Sequence, residues 1–155
     1  SPILDSASLG NAEKYGIVLA SCAYWNIKGL SLQNVYQYGS NDVGGWENYH
    51  LSNSKIENCT VRHSGNGFYF YGNCDYTIIK NCDSYQNFDI TGGFSDGYHA
   101  RIFAGTHLSY IGCRSFNNCD DGFDMFDCAG YVTYENCWAF DNGQDGTIHG
   151  DVNGF

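Results

Sequence analysis

Apolar and polar positions along this chain recur as two interleaved ladders. The first is anchored at Leu30, Cys59, Cys82, Cys113 and Cys137, spaced 29, 23, 31 and 24 residues apart. Three residues before each anchor stands an apolar residue: Ile27, Ile56, Ile79, Tyr110 or Tyr134. One residue before it stands Gly29, Asn58, Asn81, Gly112 or Asn136, and these are the residue types that accept a left-handed bend at little cost. Each unit therefore predicts an apolar strand, a tight bend, a small buried anchor and a second short strand.

The second ladder opens at Gly16, Gly67, Gly97, Gly122 and Gly154. Odd positions after each glycine are mostly apolar: Ile17 and Leu19, Phe68 and Phe70, Tyr98 and Ala100, Phe123 and Met125. Alternation with period two assigns them to an inner face. Phe68, Tyr98, Phe123 and Phe155 are expected to form one inward stack, with Leu19, Phe70 and Met125 beside it. Even positions then point outward: Val18 and Ala20, Tyr69 and Tyr71, His99 and Arg101, Asp124 and Phe126.

Short strands repeating in this way, with no helical segment, indicate a solenoid. The expected fold is all-β: a right-handed parallel β-helix of about five coils, one domain over residues 1–155. At about 4.8 Å per coil it is roughly 24 Å long. The helix or turn half of a leucine-rich repeat has no counterpart. The pattern opens and stops within a repeat, so the solenoid is expected to be truncated at both ends, and no signal segment is recognisable at the start.

Composition narrows the function. The 155 residues are 43% hydrophobic and 15% charged, with a net charge of −10. That charge leaves no basic footprint for nucleic acid, and no apolar run of about 18 residues predicts a membrane span. A single Pro beside 20 Gly, 13 Tyr and 10 Phe suits ladders that need every N–H, with rings available to stack on sugars. The eight cysteines include no Cys-x-x-Cys pair, so they are expected to stack as small hydrophobes rather than to bind zinc. Cys119 lies outside both ladders and is the thiol to watch for reactivity.

The chemistry gathers on the outward face. Asp96 and Asp121 occupy equivalent turns on adjacent coils, and Asp120 and Asp124 converge on them if the backbone bends at Gly122. Carboxylates packed together repel unless a cation intervenes, and a hard cation such as Ca²⁺ selects carboxylate oxygen. Arg101 is the cation expected beside them, and Tyr69, Tyr71, His99 and Phe126 complete a face suited to a sugar polymer.

The segments Cys113-Arg114-Ser115-Phe116-Asn117-Asn118 and Asp120-Asp121-Gly122-Phe123-Asp124-Met125-Phe126-Asp127 resemble polysaccharide lyase family 9, the calcium-dependent pectate lyases. Glu135 to Gly143 and Asn81 to Tyr85 are similar to it as well. The resemblance implies a primary Ca²⁺ held by Asp96, Asp120, Asp121 and Asp124. It implies a catalytic lysine directly after Asn153-Gly154-Phe155, where this chain ends, and a cationic catalytic role for Arg101, where the family often has lysine. It further implies β-elimination on an acidic polysaccharide such as polygalacturonate, a secreted protein that is monomeric when complete, and an inactive chain as it stands. Two other readings remain open. The Asp-Asp pair with His149-Gly150 matches an inverting polygalacturonase-like hydrolase, although that class's Arg-Ile-Lys segment is absent. The aromatic face (Tyr69, Tyr71, Phe126) suits a non-catalytic carbohydrate-binding β-helix.

Overall fold

The computed structural model describes residues 2–7, 15–37, 44–89, 95–143 and 154–155. Three parallel sheets wrap one core, each built from every third strand. The first contains β1 (Ile3–Asp5), β4 (Ser31–Gln33), β7 (Thr60–Arg62), β10 (Asp83–Tyr85), β13 (Arg114–Phe116) and β16 (Trp138–Phe140). The second contains β2 (Ile17–Ala20), β5 (Gly44–Tyr49), β8 (Asn66–Gly72), β11 (Tyr98–Ile102) and β14 (Phe123–Asp124). The third contains β3 (Asn26–Lys28), β6 (Lys55–Glu57), β9 (Thr77–Lys80), β12 (His107–Ile111) and β15 (Tyr131–Glu135). A chain that returns to the same sheet every third strand, always parallel, is a β-solenoid.

The anchor ladder bends where the sequence places it. Gly29, Asn58, Asn81, Gly112 and Asn136 have φ of 72°, 53°, 52°, 63° and 52°, each in the left-handed region that Gly and Asn tolerate best. The next residues turn inward: Cys59, Cys82 and Cys113 are buried and Cys137 is half-buried. No disulfide joins any of the eight cysteines. Cys119, singled out for reactivity, is only 5% exposed.

The inward aromatic stack runs through the second sheet. Phe68 and Tyr98 lie 5.2 Å apart, Tyr98 and Phe123 4.7 Å, and Phe123 and Phe155 5.0 Å, all face to face. The stack also includes Trp46, fully buried and 5.3 Å from Phe68. Its coil, opened by Gly45, escapes the sequence ladder because Asn48 takes the next inward position. Asn48 is fully buried, and its Nδ2 donates to the Tyr69 carbonyl at 3.0 Å. Met125 departs from the expected inner face, being 43% exposed. Strand β14 stops at Asp124, whose Oδ1 accepts the Phe126 N–H at 2.8 Å, and the Met125 carbonyl accepts the Cys128 N–H at 3.1 Å. A turn has replaced the alternation there.

Two devices hold the turn that leads into the second sheet. Asn118 Oδ1 accepts Asn87 Nδ2 at 2.9 Å, and Asn142 Oδ1 accepts Asn118 Nδ2 at 2.9 Å, an amide ladder that satisfies buried polar groups coil by coil. The ladder glycines then pass where a side chain does not fit. A Cβ on Gly97 would collide with the Ser115 hydroxyl and come within 2.8 Å of the Gly122 carbonyl oxygen.

Candidate metal centre

The site sits where that turn enters β11 and β14. Register pairs Tyr98 with Phe123 and His99 with Asp124. With the aromatic partners facing in, His99 and Asp124 share the outward face. The preceding turns add Asp96 from one coil and Asp120 and Asp121 from the next. Asp96 is fixed from both sides: its N–H donates to Asn66 Oδ1 at 2.9 Å, and its Oδ1 accepts the Asp121 N–H at 3.0 Å.

The imidazole of His99 is wedged between two carboxylates. Its Nδ1 lies 3.0 Å from Asp96 Oδ2 and 3.2 Å from Asp124 Oδ2. One donor atom from each of Asp96, His99 and Asp124 falls within 4.8 Å of the others. Asp96 is 3% exposed and His99 8%, so they face one another at low dielectric. The sequence ladder put His99 on this face but did not single it out as the residue joining two carboxylates; its nitrogen between two aspartates at strand register was the available signal.

Electrostatics mark the same spot. Burial, and then the neighbouring Asp124 and Asp121, push the Asp96 carboxyl up to about 6 even though His99 pulls it down. Burial, and then Asp96, Asp121, Asp124 and Asp89, push Asp120 up to about 7. The donor set fits a hard divalent cation: several carboxylate oxygens, some deprived of water, lose their mutual repulsion when a dication neutralises them. The structure brings donor atoms of Asp96, His99 and Asp124 together, while Asp120 and Asp121 lie near enough for their charges to be felt there.

The cationic and aromatic candidates lie farther along the outward face. Arg101, expected as counter-charge to the aspartates, instead pairs with Asp127 at 2.9 Å. Partial burial works against its charge, but Tyr69 and Asp127 outweigh this and hold its pKa above the usual guanidinium value. Tyr69, 8% exposed, sets its ring edge-to-face against His99 at 5.1 Å. Tyr71 is half-buried and meets Phe103 edge-to-face at 5.6 Å, while Phe126 is 68% exposed. Glu47, absent from the sequence reading along with its coil, is buried on this face in register with Tyr69. His149 and Asn153 lie outside the described residues.

Comparison with known proteins gives a consistent picture. A family model described as "Pel9A-like, right handed beta helix region" matches residues 1–155. Pectate lyase L of Dickeya dadantii (strain 3937) is 33% identical over 139 residues, covering 85% of this chain and 31% of that protein. Pectate lyase L of Thermoclostridium stercorarium is 31% identical over 173 residues, covering 99% of this chain and 13% of that protein. This chain thus spans about a third or less of the length of these relatives. The crystal structure of pectate lyase Pel9A superposes with a TM-score of 0.61 at 22% identity, over 97% of this chain and 52% of that one, which gives the same fold.

Proposed function

The chain belongs to the Pel9A-like right-handed β-helix family, and on that premise we propose that the protein containing it cleaves polygalacturonate, or a related uronate polymer outside the cell, by calcium-assisted β-elimination. The observation that carries this reading is the joining of Asp96 on one coil to Asp121 and Asp124 on the next, through the Asp121 N–H at 3.0 Å and through His99. Carboxylates are brought together there at a burial that raises two of their pKa values, on a face that also carries Arg101 and Tyr71.

In the proposed reaction the uronate C5 proton leaves, electrons form the C4–C5 double bond, and the C4–oxygen bond breaks. Bound calcium supplies Lewis-acid neutralisation of the uronate carboxylate. Asp96, Asp120, Asp121 and Asp124 would hold the cation, and Arg101, kept protonated, would pair with a sugar carboxylate. Tyr71 and Phe126 offer apolar surface to the sugar rings. Arg101 is not the proton acceptor, because its neighbours strengthen its hold on the proton. The Phe123 N–H donates to the Gly154 carbonyl at 3.1 Å and Phe155 stacks on Phe123, which supports a register in which the position following Phe155 corresponds to Asp124. The family resemblance assigns the catalytic lysine to that position.

The test is ultraviolet absorbance released from polygalacturonate by the full-length protein, with calcium and with chelator. Calcium-dependent absorbance that is lost in Asp121→Ala supports the reading. New reducing ends without absorbance indicate hydrolysis instead, and binding without turnover indicates a carbohydrate-binding module.

A further inference from the structure

The outward face of the third sheet, one corner away from the sheet that carries the metal centre, forms a second organised surface. We propose that it binds an acidic polysaccharide laid along the solenoid axis, held between a stripe of exposed aromatic rings and a stripe of lysines. A polymer can be held there whether or not the protein cleaves it, so the inference does not rest on β-elimination.

The ring stripe lies at the corner where the third sheet begins. Register aligns Tyr24, Asn53, Tyr76, His107 and Tyr131 on successive coils. The His107 ring stacks on Tyr76 at 5.8 Å and on Tyr131 at 5.0 Å, and Asp75 Oδ1 accepts the His107 N–H at 2.9 Å. The stripe is ordered yet lies outside the core: Tyr24 is 83% exposed, Tyr76 65% and Tyr131 63%. Tyr24, Asn53 and Tyr76 have φ of 63°, 48° and 53°. Asparagine suits that left-handed bend and a bulky side chain does not. Tyrosine at two such bends accepts strain and exposes apolar surface without gaining core packing, an outlier that points to contact with a ligand. Asn53 carries no ring, so Tyr76 has one face covered by His107 and the other open. Tyr24 stands two coils away, about 10 Å, and the interval admits a sugar ring against the open face of Tyr76.

Charge selects an acidic polymer. The protein's net charge is −10, yet three of its four lysines, Lys28, Lys55 and Lys80, lie on this sheet. Glu57 Oε2 is 3.5 Å from Lys28 Nζ and 3.1 Å from Lys55 Nζ, so the stripe already receives a carboxylate. Among the described residues Lys80, next in register after Glu57, has no carboxylate partner. Lys80 follows Tyr76 by four residues, about 13 Å of extended strand. Between the two stripes, on the next coils, stand Ser109 and Thr133, joined hydroxyl to hydroxyl at 2.9 Å. These short side chains leave a trough with hydroxyls along its floor.

The test uses the full-length protein in chelator, where calcium bridging contributes nothing. Calorimetry with polygalacturonate should show saturable binding by the parent. Tyr76→Ala should weaken it about tenfold and Tyr76→Phe by less than about twofold, because the ring face is what binds. Lys80→Gln should weaken it about threefold at low salt and less at high salt. In proton NMR the His107 ring resonances, identified by their loss in His107→Gln, should shift as a short uronate oligomer is added to the parent. That signal reports contact at this face even if a variant folds poorly. Unchanged binding in both Tyr76→Ala and Lys80→Gln, or His107 resonances that stay in place at saturation, overturns the proposal. So does a neutral glucan bound as tightly as polygalacturonate, or a Tyr76→Ala effect confined to self-association in light scattering. Binding in chelator with no ultraviolet-absorbing product once calcium is restored supports the proposal and removes the β-elimination reading. Absorbing product without any binding in chelator overturns the proposal and leaves that reading standing.

Discussion

The Asp121 N–H donates to Asp96 Oδ1 at 3.0 Å, so the carboxylate of one coil is positioned by the backbone of the next. Asp96 is therefore both a candidate ligand and a clasp between coils. Asparagine at this position keeps an oxygen for the Asp121 N–H but abandons the charge. Asp96→Asn should lose calcium binding, while the cation-free protein should be as stable as the parent or more so at pH 8. The Asp96 shift from 3.8 to about 6 bounds the gain at roughly 1–3 kcal/mol. Denaturant unfolding with and without calcium checks this. A large loss of stability in the cation-free variant would show that the charge itself holds the coils.

The same carboxyls fix a pH dependence. Asp96 and Asp120 titrate near 6 and 7 when folded, against 3.8 as ordinary aspartates. The folded state therefore holds protons that the unfolded state has released. Their contribution to stability is complete below about pH 3.8 and is lost as pH rises through 6 and 7. Considering these groups alone, the cation-free protein should become less stable between pH 5 and 8. Calcium must displace those protons, so its affinity should rise across the same window. Melting curves in chelator and calcium calorimetry at three pH values measure both slopes, and parallel slopes would contradict the assignment.

The stacked core gives a contrast between neighbours. Phe123 is 2% exposed, lies between Tyr98 and Phe155, and meets Tyr110 and Tyr134 edge-on. Phe123→Ala should cost about 3–5 kcal/mol by opening a cavity. Met125→Ala, two residues on, should cost about 0.5 kcal/mol or less, because that side chain is on the surface. Chemical denaturation of the two variants separates a stacked interior from a merely apolar segment.

Much of this fold was legible because a solenoid repeats its solution. The left-handed bends at Asn58, Asn81 and Asn136 and the stack from Phe68 to Phe155 follow from period and residue type alone. Gly45 and Trp46 were missed where Asn48, an inward amide bonded to a carbonyl, interrupts the apolar alternation. Met125 was misplaced because alternation cannot tell when a strand yields to a turn. At the site, period placed His99 and Asp124 on one face. It did not reveal that one imidazole nitrogen faces two carboxylates or that Arg101 turns to Asp127, because side-chain rotation is set by neighbours that the ladder does not encode.

The last prediction concerns Arg101. Asp127 holds its guanidinium at 2.9 Å, and both that carboxylate and Tyr69 favour the charged form. A residue that only binds a substrate carboxylate should affect affinity more than the chemical step. Arg101→Ala in the full-length protein should raise KM for polygalacturonate and lower kcat/KM about 10- to 100-fold, the worth of one or two charge-assisted hydrogen bonds. Arg101→Lys should recover part of that loss, since the charge remains but the planar fork does not. Asp127→Asn should leave the charge and change kcat little. The ascending limb of the pH profile should be unmoved in Arg101→Lys, because the group that must lose its proton before it can accept one lies elsewhere. A limb that shifts with the substitution, or a collapse of kcat at unchanged KM, would place Arg101 in the proton transfer itself.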